Sequence, residues 1–462
     1  MKRTLAEAAR ELGAPLIGED RPFGAVSSDS RTLPAGALFV GLRGPNFDGA
    51  DFAAAALARG AVGAIVERAL SDVSLPYIQV PDSLQALQRL ARRWRAEFSI
   101  PLVGIGGSNG KTTTKEMTAA ILSRRGPCLS TQGNLNNHIG VPLTLLRLER
   151  SHRSAVIEMG ANRIGDVAEL VALASPTVGL ITNAGAEHLE GFGDLDGVAR
   201  GEGEMVAGLP PGAAAVINAD DAYAGYWRGV AAAGRIVTFG VHADADFAAK
   251  DSVQTIERGE FVTRFTLECP LGQRSITLRA GGAHNIGNAL AAAAAGAAAG
   301  ASLEQIALGL ADFRAVAGRL QLKPGARDSW IIDDSYNANP SSVRAGLEVM
   351  RSLPGTTWLV LGDMAELGEF AEDSHAHMGA YARDCGIKRL FAVGPQSSRA
   401  VETFGSGAEW FADADSLTRR LQAELAPGVT VLIKGSRINR LERVVQALTG
   451  GGAGTGPMMR AG

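Results

Sequence analysis

Residues 104–113, Gly104-Ile105-Gly106-Gly107-Ser108-Asn109-Gly110-Lys111-Thr112-Thr113, decide the reading of this 462-residue chain. Leu102, Val103 and Ile105 have the character of a buried strand end. Glycines at 104, 106, 107 and 110 then allow a turn whose backbone N–H groups can converge on phosphate oxygens. Lys111 offers a positive charge to the outer phosphates, and the Thr112 hydroxyl can reach Mg²⁺. The strict pattern G-x-x-x-x-G-K-[ST] asks for glycine where this chain has Ile105, so the loop is a variant. A structural turn would explain the glycines but not the Lys-Thr at helix onset. The expectation is a nucleoside triphosphate held by Gly107, Ser108, Asn109, Gly110, Lys111, Thr112 and Thr113.

Around this loop, strand candidates at Ala155–Glu158, Thr177–Thr182, Ala214–Asn218 and Ile236–Phe239 each end in a polar or glycine turn, with helical patterns between several of them. That rhythm predicts a parallel sheet with crossover helices, which presents ligands at its carboxyl ends. Residues 246–280 predict an antiparallel insert, with Phe261–Glu268 alternating and Ser275–Leu278 as its partner. Upstream, short strands at Ala37–Leu42 and Val62–Glu67 and the helix Asp51–Arg59 suit a small α/β unit. A helix over Ser83–Phe98 follows, with Leu84, Leu87, Leu90 and Trp94 on one stripe. Downstream, apolar strands at Trp330–Asp333, Thr357–Leu361, Arg389–Val393 and Thr430–Lys434 form a further α/β segment. The expected domains are 1–82, 83–315 and 316–450, with a glycine-rich, disordered tail at 451–462. The fold class is α/β: a small N-terminal unit, a central P-loop ATPase-like parallel sheet with helices, and a C-terminal Rossmann-like unit.

Composition narrows the function classes. Hydrophobic content of 46%, charged content of 20% and a net charge of −3 describe a folded protein without a global basic field, so no nucleic-acid partner is expected. Cys128, Cys269 and Cys385 are odd in number and far apart, which predicts reduced, buried thiols. The longest apolar run, Ala289–Ala301, is alanine and glycine and predicts a packed helix rather than an integral membrane segment. The start lacks a signal-peptide core, so a cytoplasmic location is expected.

Three features beyond the loop suggest metal-assisted phosphoryl chemistry. Glu158 ends a strand, where a carboxylate could hold Mg²⁺ opposite Thr112. Alone, such a glutamate is more often a hydrogen-bonded structural group. His188 lies in the polar run Thr182-Asn183-Ala184-Gly185-Ala186-Glu187-His188-Leu189-Glu190, after another strand. Lys434-Gly435-Ser436-Arg437 follows a third and suits phosphate or carboxylate, though a solvated turn fits as well.

The order of these motifs resembles the Mur ligases, ATP-dependent amide-forming enzymes of peptidoglycan precursor synthesis, over nearly the whole chain. Distinctive blocks are Gly107 to Glu116, Gly133-Asn134-Leu135-Asn136-Asn137, His284-Asn285, Asp333-Asp334-Ser335-Tyr336-Asn337-Ala338-Asn339-Pro340 and Gly362-Asp363-Met364-Ala365-Glu366-Leu367-Gly368. Within the family, the Tyr336–Pro340 run is similar to that of the member that adds a dipeptide. The resemblance implies a UDP-N-acetylmuramoyl-tripeptide, D-alanyl-D-alanine, ATP and Mg²⁺ as reaction partners, with a monomer expected. It implies a UDP-end site at Ser28, Ser30 and Arg31, with Asn46 and Asp48 as a second piece. It implies a peptide path lined by Thr131, Asn134, Asn136 and Asn137. Lys111 would hold the β- and γ-phosphates, Thr112 and Glu158 one Mg²⁺, and His188 a second. Asn285 and Asn288 would meet the adenosine region, and Arg319 and Asp334 would meet ATP when the domains close. The linkers near 82 and 315 are the candidate hinges.

One departure stands out. The family usually reads Ala-Lys-Gly-Glu after the His-containing loop, and its lysine becomes carbamylated. Here Gly201-Glu202-Gly203-Glu204 occupies that place. Glu202 could supply a metal-facing carboxylate directly, or be a solvent-facing helix glutamate. Lys111, Glu158, His188 and Glu202 are therefore the expected catalytic set. Rival readings are a sister ligase, a folylpolyglutamate-type ligase, a kinase, or a nucleotide-dependent scaffold without turnover.

Overall fold

The chain enters its central sheet in the middle and leaves on both sides. The computed structural model describes residues 2–71 and 73–450, so the tail expected at 451–462 lies outside the described residues. Nine strands run in the order Cys128–Ser130, Ser154–Glu158, Leu102–Gly106, Val178–Ile181, Ala214–Asn218, Arg235–Gly240, Phe247–Glu257, Glu260–Cys269 and Gly272–Leu278. The first seven are parallel. The last two complete the expected antiparallel insert, with Thr266 opposite Ser275. The chain moves outward from Leu102–Gly106 in one direction and then returns to its other flank. This reversal opens a crevice beyond the carboxyl ends. The register, Ile105 beside Glu158 and Gly106 beside Ile181, brings those ends level.

Two smaller sheets flank this one. The N-terminal sheet orders Leu16–Ile17, Tyr77–Gln79, Gly63–Val66, Ala37–Val40 and Ala25–Ser27, antiparallel only at its first strand. The C-terminal sheet orders Gln321–Pro324, Trp330–Asp334, Val429–Lys434, Thr356–Gly362, Arg389–Val393 and Ala408–Phe411, again with only its first strand antiparallel. The α/β class and its three units are as expected.

Packing explains the alanine-rich run. The helix Ala283–Ala298 buries Ala289 to Ala295 against the phosphate-loop helix Lys111–Ser123. A Cβ at Gly296 would stand 2.8 Å from the Ile121 side chain, and one at Gly309 only 2.4 Å from the Ile121 Cα. Small residues thus let three helix backbones approach closely behind the loop. The helix Ser83–Ala96 joins two units. Its Leu87, Leu90 and Trp94 share one apolar core with Leu5, Leu38 and Ile65 of the N-terminal unit and Leu102 and Ile157 of the central one. The three cysteines are unpaired and half-buried rather than fully buried. Among the described residues no helix is long and apolar enough to cross a membrane.

Candidate active site

The strand Leu102–Gly106 runs into a tight loop, and the helix Lys111–Ser123 starts directly after Gly110. Gly107 and Gly110 adopt φ of 113° and 83°, which favour glycine. A Cβ at Gly107 would sit 2.1 Å from the Thr182 hydroxyl oxygen, and one at Gly110 2.3 Å from Asn288 Oδ1. Three loop amides already have protein acceptors: Gly107 N–H donates to Glu202, Ser108 N–H to Asn183 O, and Asn109 N–H to Asn183 Oδ1. The N–H groups of Gly110, Lys111, Thr112 and Thr113 have none among the described residues. The open donors are therefore the first turn of the helix, where backbone dipoles also favour an anion. Of the seven loop residues expected to hold phosphate, Gly107, Ser108 and Asn109 shape the cradle in this form instead of offering N–H groups.

Lys111 folds back on the loop, donating to the carbonyls of Gly107 and Ser108 and to Glu187 Oε1 at 3.3 Å. Burial disfavours its charge, but Glu187, Glu202 and Glu158 outweigh that and hold its pKa above the ordinary lysine value. Glu202 is only 2% exposed, which excludes the solvent-facing reading. Burial pushes its carboxyl up to about 7; Lys111 pulls it down, and Glu187 adds to the rise. One oxygen accepts the Gly107 amide, and the other has no hydrogen bond among the described residues.

Glu158 is set by two residues expected to line a peptide path. Its N–H donates to Thr131 Oγ1 at 3.0 Å, and Asn136 Nδ2 donates to its Oε1 at 2.9 Å. Thr131 is fully buried, with its carbonyl taken by Lys115 Nζ at 2.8 Å. Thr131 thus supports Glu158 from behind rather than lining a surface. Asn137 caps the helix Gly140–Leu145 through the Gly140 amide, and Asn134 is exposed. Glu158 Oε2 is buried without a partner among the described residues. An orphaned carboxylate oxygen, a Thr112 hydroxyl free of hydrogen bonds among the described residues, and three carboxylates around one ammonium fit a divalent cation. No three His, Cys, Asp or Glu side chains converge as a preformed cage among the described residues. Mg²⁺, which usually takes one or two carboxylates plus substrate phosphates and water, needs none.

A cavity of about 420 Å³ opens beside the loop. Its central wall carries Asn109, Gly110, Thr113, Asn285 and Asn288, and its C-terminal wall Arg319, Asp334 and Lys434. Asn285 Oδ1 accepts from Asn288, which in turn accepts from Thr114. Asp334 accepts from Lys434 Nζ at 2.6 Å and from the Leu320 amide. Lys434 is buried and paired, so it is not the solvated turn that its motif allowed. Arg319 stacks 4.3 Å over Tyr336. His188 lies across the domain boundary from Glu366, 2.7 Å from its carboxylate, and both have positive φ.

Ser28, Ser30, Arg31, Asn46 and Asp48 lie in the N-terminal unit, with no hydrogen bond to the cradle among the described residues. Arg31 pairs with Asp29, holding that carboxyl down at about 2. Asp48 caps the turn Gly49–Phe52 and pairs with Arg68 at 3.3 Å. Sequence reasoning missed Asn183, whose partner Asn109 is 74 positions away, and Lys115, which holds the Thr131 carbonyl. It also missed the structural duty of His375, whose Nε2 accepts the Met364 amide at 2.9 Å while Nδ1 meets the Ala371 carbonyl.

A phosphate cradle at a sheet switch point, facing a second α/β unit across a nucleotide-sized cleft, defines a multidomain nucleotide-binding α/β protein. Three family models match in turn: the Mur ligase family catalytic domain over residues 22–95, the Mur ligase middle domain over 105–296 and the Mur ligase glutamate ligase domain over 318–437. The chain belongs to the Mur ligase family. It is 44% identical over 448 residues to the UDP-N-acetylmuramoyl-tripeptide–D-alanyl-D-alanine ligase of Escherichia coli K12, covering 96% of this chain and 98% of that one. The crystal structure of MurF from Acinetobacter baumannii superposes with a TM-score of 0.90 at 32% identity, covering 97% and 99% of the two chains. MurF from Thermotoga maritima, solved with ADP, gives 0.81 at 28% identity, covering 92% and 96%.

Proposed function

We infer that this chain joins D-alanyl-D-alanine to the terminal carboxylate of UDP-N-acetylmuramoyl-tripeptide at the expense of ATP, releasing ADP and phosphate. The product is the pentapeptide precursor of peptidoglycan. The observation that carries this reading is the end-to-end match, at 44% identity, to a ligase of that activity. Amide formation in water fails because a carboxylate has no adequate leaving group. Attack of that carboxylate on the γ-phosphorus gives an acyl phosphate and ADP; the dipeptide amine then attacks the carbonyl, and phosphate departs.

The protein's work is alignment of two anions and neutralisation of the charge they bring together. Lys111 would release the Gly107 and Ser108 carbonyls and take the β- and γ-phosphates, while the amides of Gly110 to Thr113 cradle them. Mg²⁺, when bound, supplies further positive charge against that repulsion. Thr112 and Glu158 would hold one ion, with His188 and the free oxygen of Glu202 beside a second position. Asn285, Arg319 and Asp334 would frame the nucleotide, and residues 1–82 would hold the UDP end through Ser28, Ser30 and Arg31. Water must be kept from the acyl phosphate, which the C-terminal unit, residues 316–450, does by closing over the cleft. ATP and UDP-linked peptides are cytoplasmic metabolites, which supports that location. Incubation with ATP, Mg²⁺, UDP-N-acetylmuramoyl-tripeptide and D-alanyl-D-alanine should give a product heavier by one dipeptide less one water. A phosphorylated acceptor instead would mark a kinase and overturn the reading.

A further inference from the structure

Asn109 sits at the tip of the phosphate loop, and its backbone is fastened from behind. Its N–H donates to Asn183 Oδ1 and its carbonyl accepts from Asn183 Nδ2, both at 3.0 Å. Its side chain therefore points outward from a fixed base. There it enters a closed ring with two residues more than 200 positions away. Asn109 Nδ2 donates to Ser341 Oγ at 2.9 Å, Ser341 Oγ donates to Asn339 Oδ1 at 3.0 Å, and Asn339 Nδ2 donates back to Asn109 Oδ1 at 2.9 Å. Three donors and three acceptors close the ring.

Its C-terminal half is equally fixed. Asn339 caps the helix Pro340–Arg351, accepting the Ser342 amide at 2.8 Å. Ser341 lies in the first turn of that helix and lines the nucleotide cavity. Gly185 leaves room for the contact: a Cβ there would stand 3.0 Å from both Asn109 Nδ2 and Ser341 Oγ. The ring thus joins the tip of the phosphate loop to the capped start of a helix in the opposing unit.

We propose that Asn109, Asn339 and Ser341 form a latch that holds the C-terminal unit over the phosphate loop and ties closure of the cleft to the position of the loop tip. They are positioning residues, acting through the closed cleft. The inference rests on the ligase reading for its chemical consequence but not for its structural one.

The test uses Ser341→Ala, Asn109→Ala, their double variant, Ser341→Thr and Asn339→Ser; the last keeps a cap acceptor but lacks the amide donor. Phosphate release and ligated product are counted together, ADP affinity is measured by calorimetry, and compaction with a non-hydrolysable ATP analogue is followed by solution scattering. Expected for Ser341→Ala is ADP affinity within twofold of wild type, kcat lower by about tenfold, and more phosphate released than product formed. The double variant should be no worse than the worse single variant, and Ser341→Thr should restore coupling. Scattering should show less compaction for Ser341→Ala and Asn339→Ser. Wild-type coupling and compaction in these variants, or strictly additive losses, would overturn the latch. A wild-type protein that compacts but never ligates would overturn the ligase reading and leave the latch standing.

Discussion

Lys111 balances three carboxylates, the buried Glu158 and Glu202 and the half-buried Glu187, and its removal would leave them facing one another unscreened. Lys111→Ala should lower kcat/KM by at least a hundredfold, about 3 kcal/mol of transition-state stabilisation, by analogy with other preorganised charge contacts. Steady-state kinetics at saturating Mg²⁺ checks this. Glu202 and His375 pull stability in opposite directions with pH. Between the ordinary glutamate value and about 7, folded Glu202 keeps a proton that the unfolded chain has released. Its contribution is therefore complete in acid and is lost as pH rises through about 7. Burial lowers the pKa of His375, so below its ordinary value the unfolded chain takes a proton that the folded one refuses. That contribution is complete above this value and is lost as pH falls below it. Melting temperatures of nucleotide-free Glu202→Gln should decline less between pH 5 and 7 than those of wild type. An unchanged slope in that window would contradict the assignment. The same variant in a Mg²⁺ titration tests the metal-side role: unchanged metal dependence and turnover would exclude it.

At the scale of elements, the cradle depends on space as much as on charge. Gly107→Ala should abolish ADP binding in calorimetry, because its Cβ would overlap the Thr182 hydroxyl and the backbone behind it. Gly309→Ala should leave the site's groups intact yet destabilise the protein by about 1–3 kcal/mol in denaturant titration, since it wedges two helix backbones apart. What could be read from the sequence follows the same division. The strands Ala214–Asn218 and Arg389–Val393 form with the expected bounds, because a buried parallel strand is a short apolar run closed by a turn. Lys111, Glu158 and Asn285 were likewise visible, since local motifs carry them. The burial of Glu202, the Asn183 brace and the withdrawal of Thr131 behind Glu158 were not. Each depends on partners dozens of residues away, and no local pattern encodes such a pairing.

For the whole molecule, the expectation of two hinges, near 82 and 315, meets an asymmetric structure. Between the helix Leu303–Asp312 and the strand Gln321–Pro324 the chain passes through Gly318 and Leu320, both at positive φ. No such break exists at residue 82, where Asp82 caps a helix whose apolar stripe belongs to both flanking sheets. Scattering should therefore report compaction on ligand binding as one rigid-body movement. The apolar continuity through Leu87 and Trp94 has a thermal corollary: the first 300 or so residues should melt as one cooperative block, giving two heat-absorption peaks in calorimetry instead of three. A substrate gripped by its nucleotide tail at one end of that block would then keep a constant distance from the triphosphate, like work clamped to a bench while only the vice jaw travels.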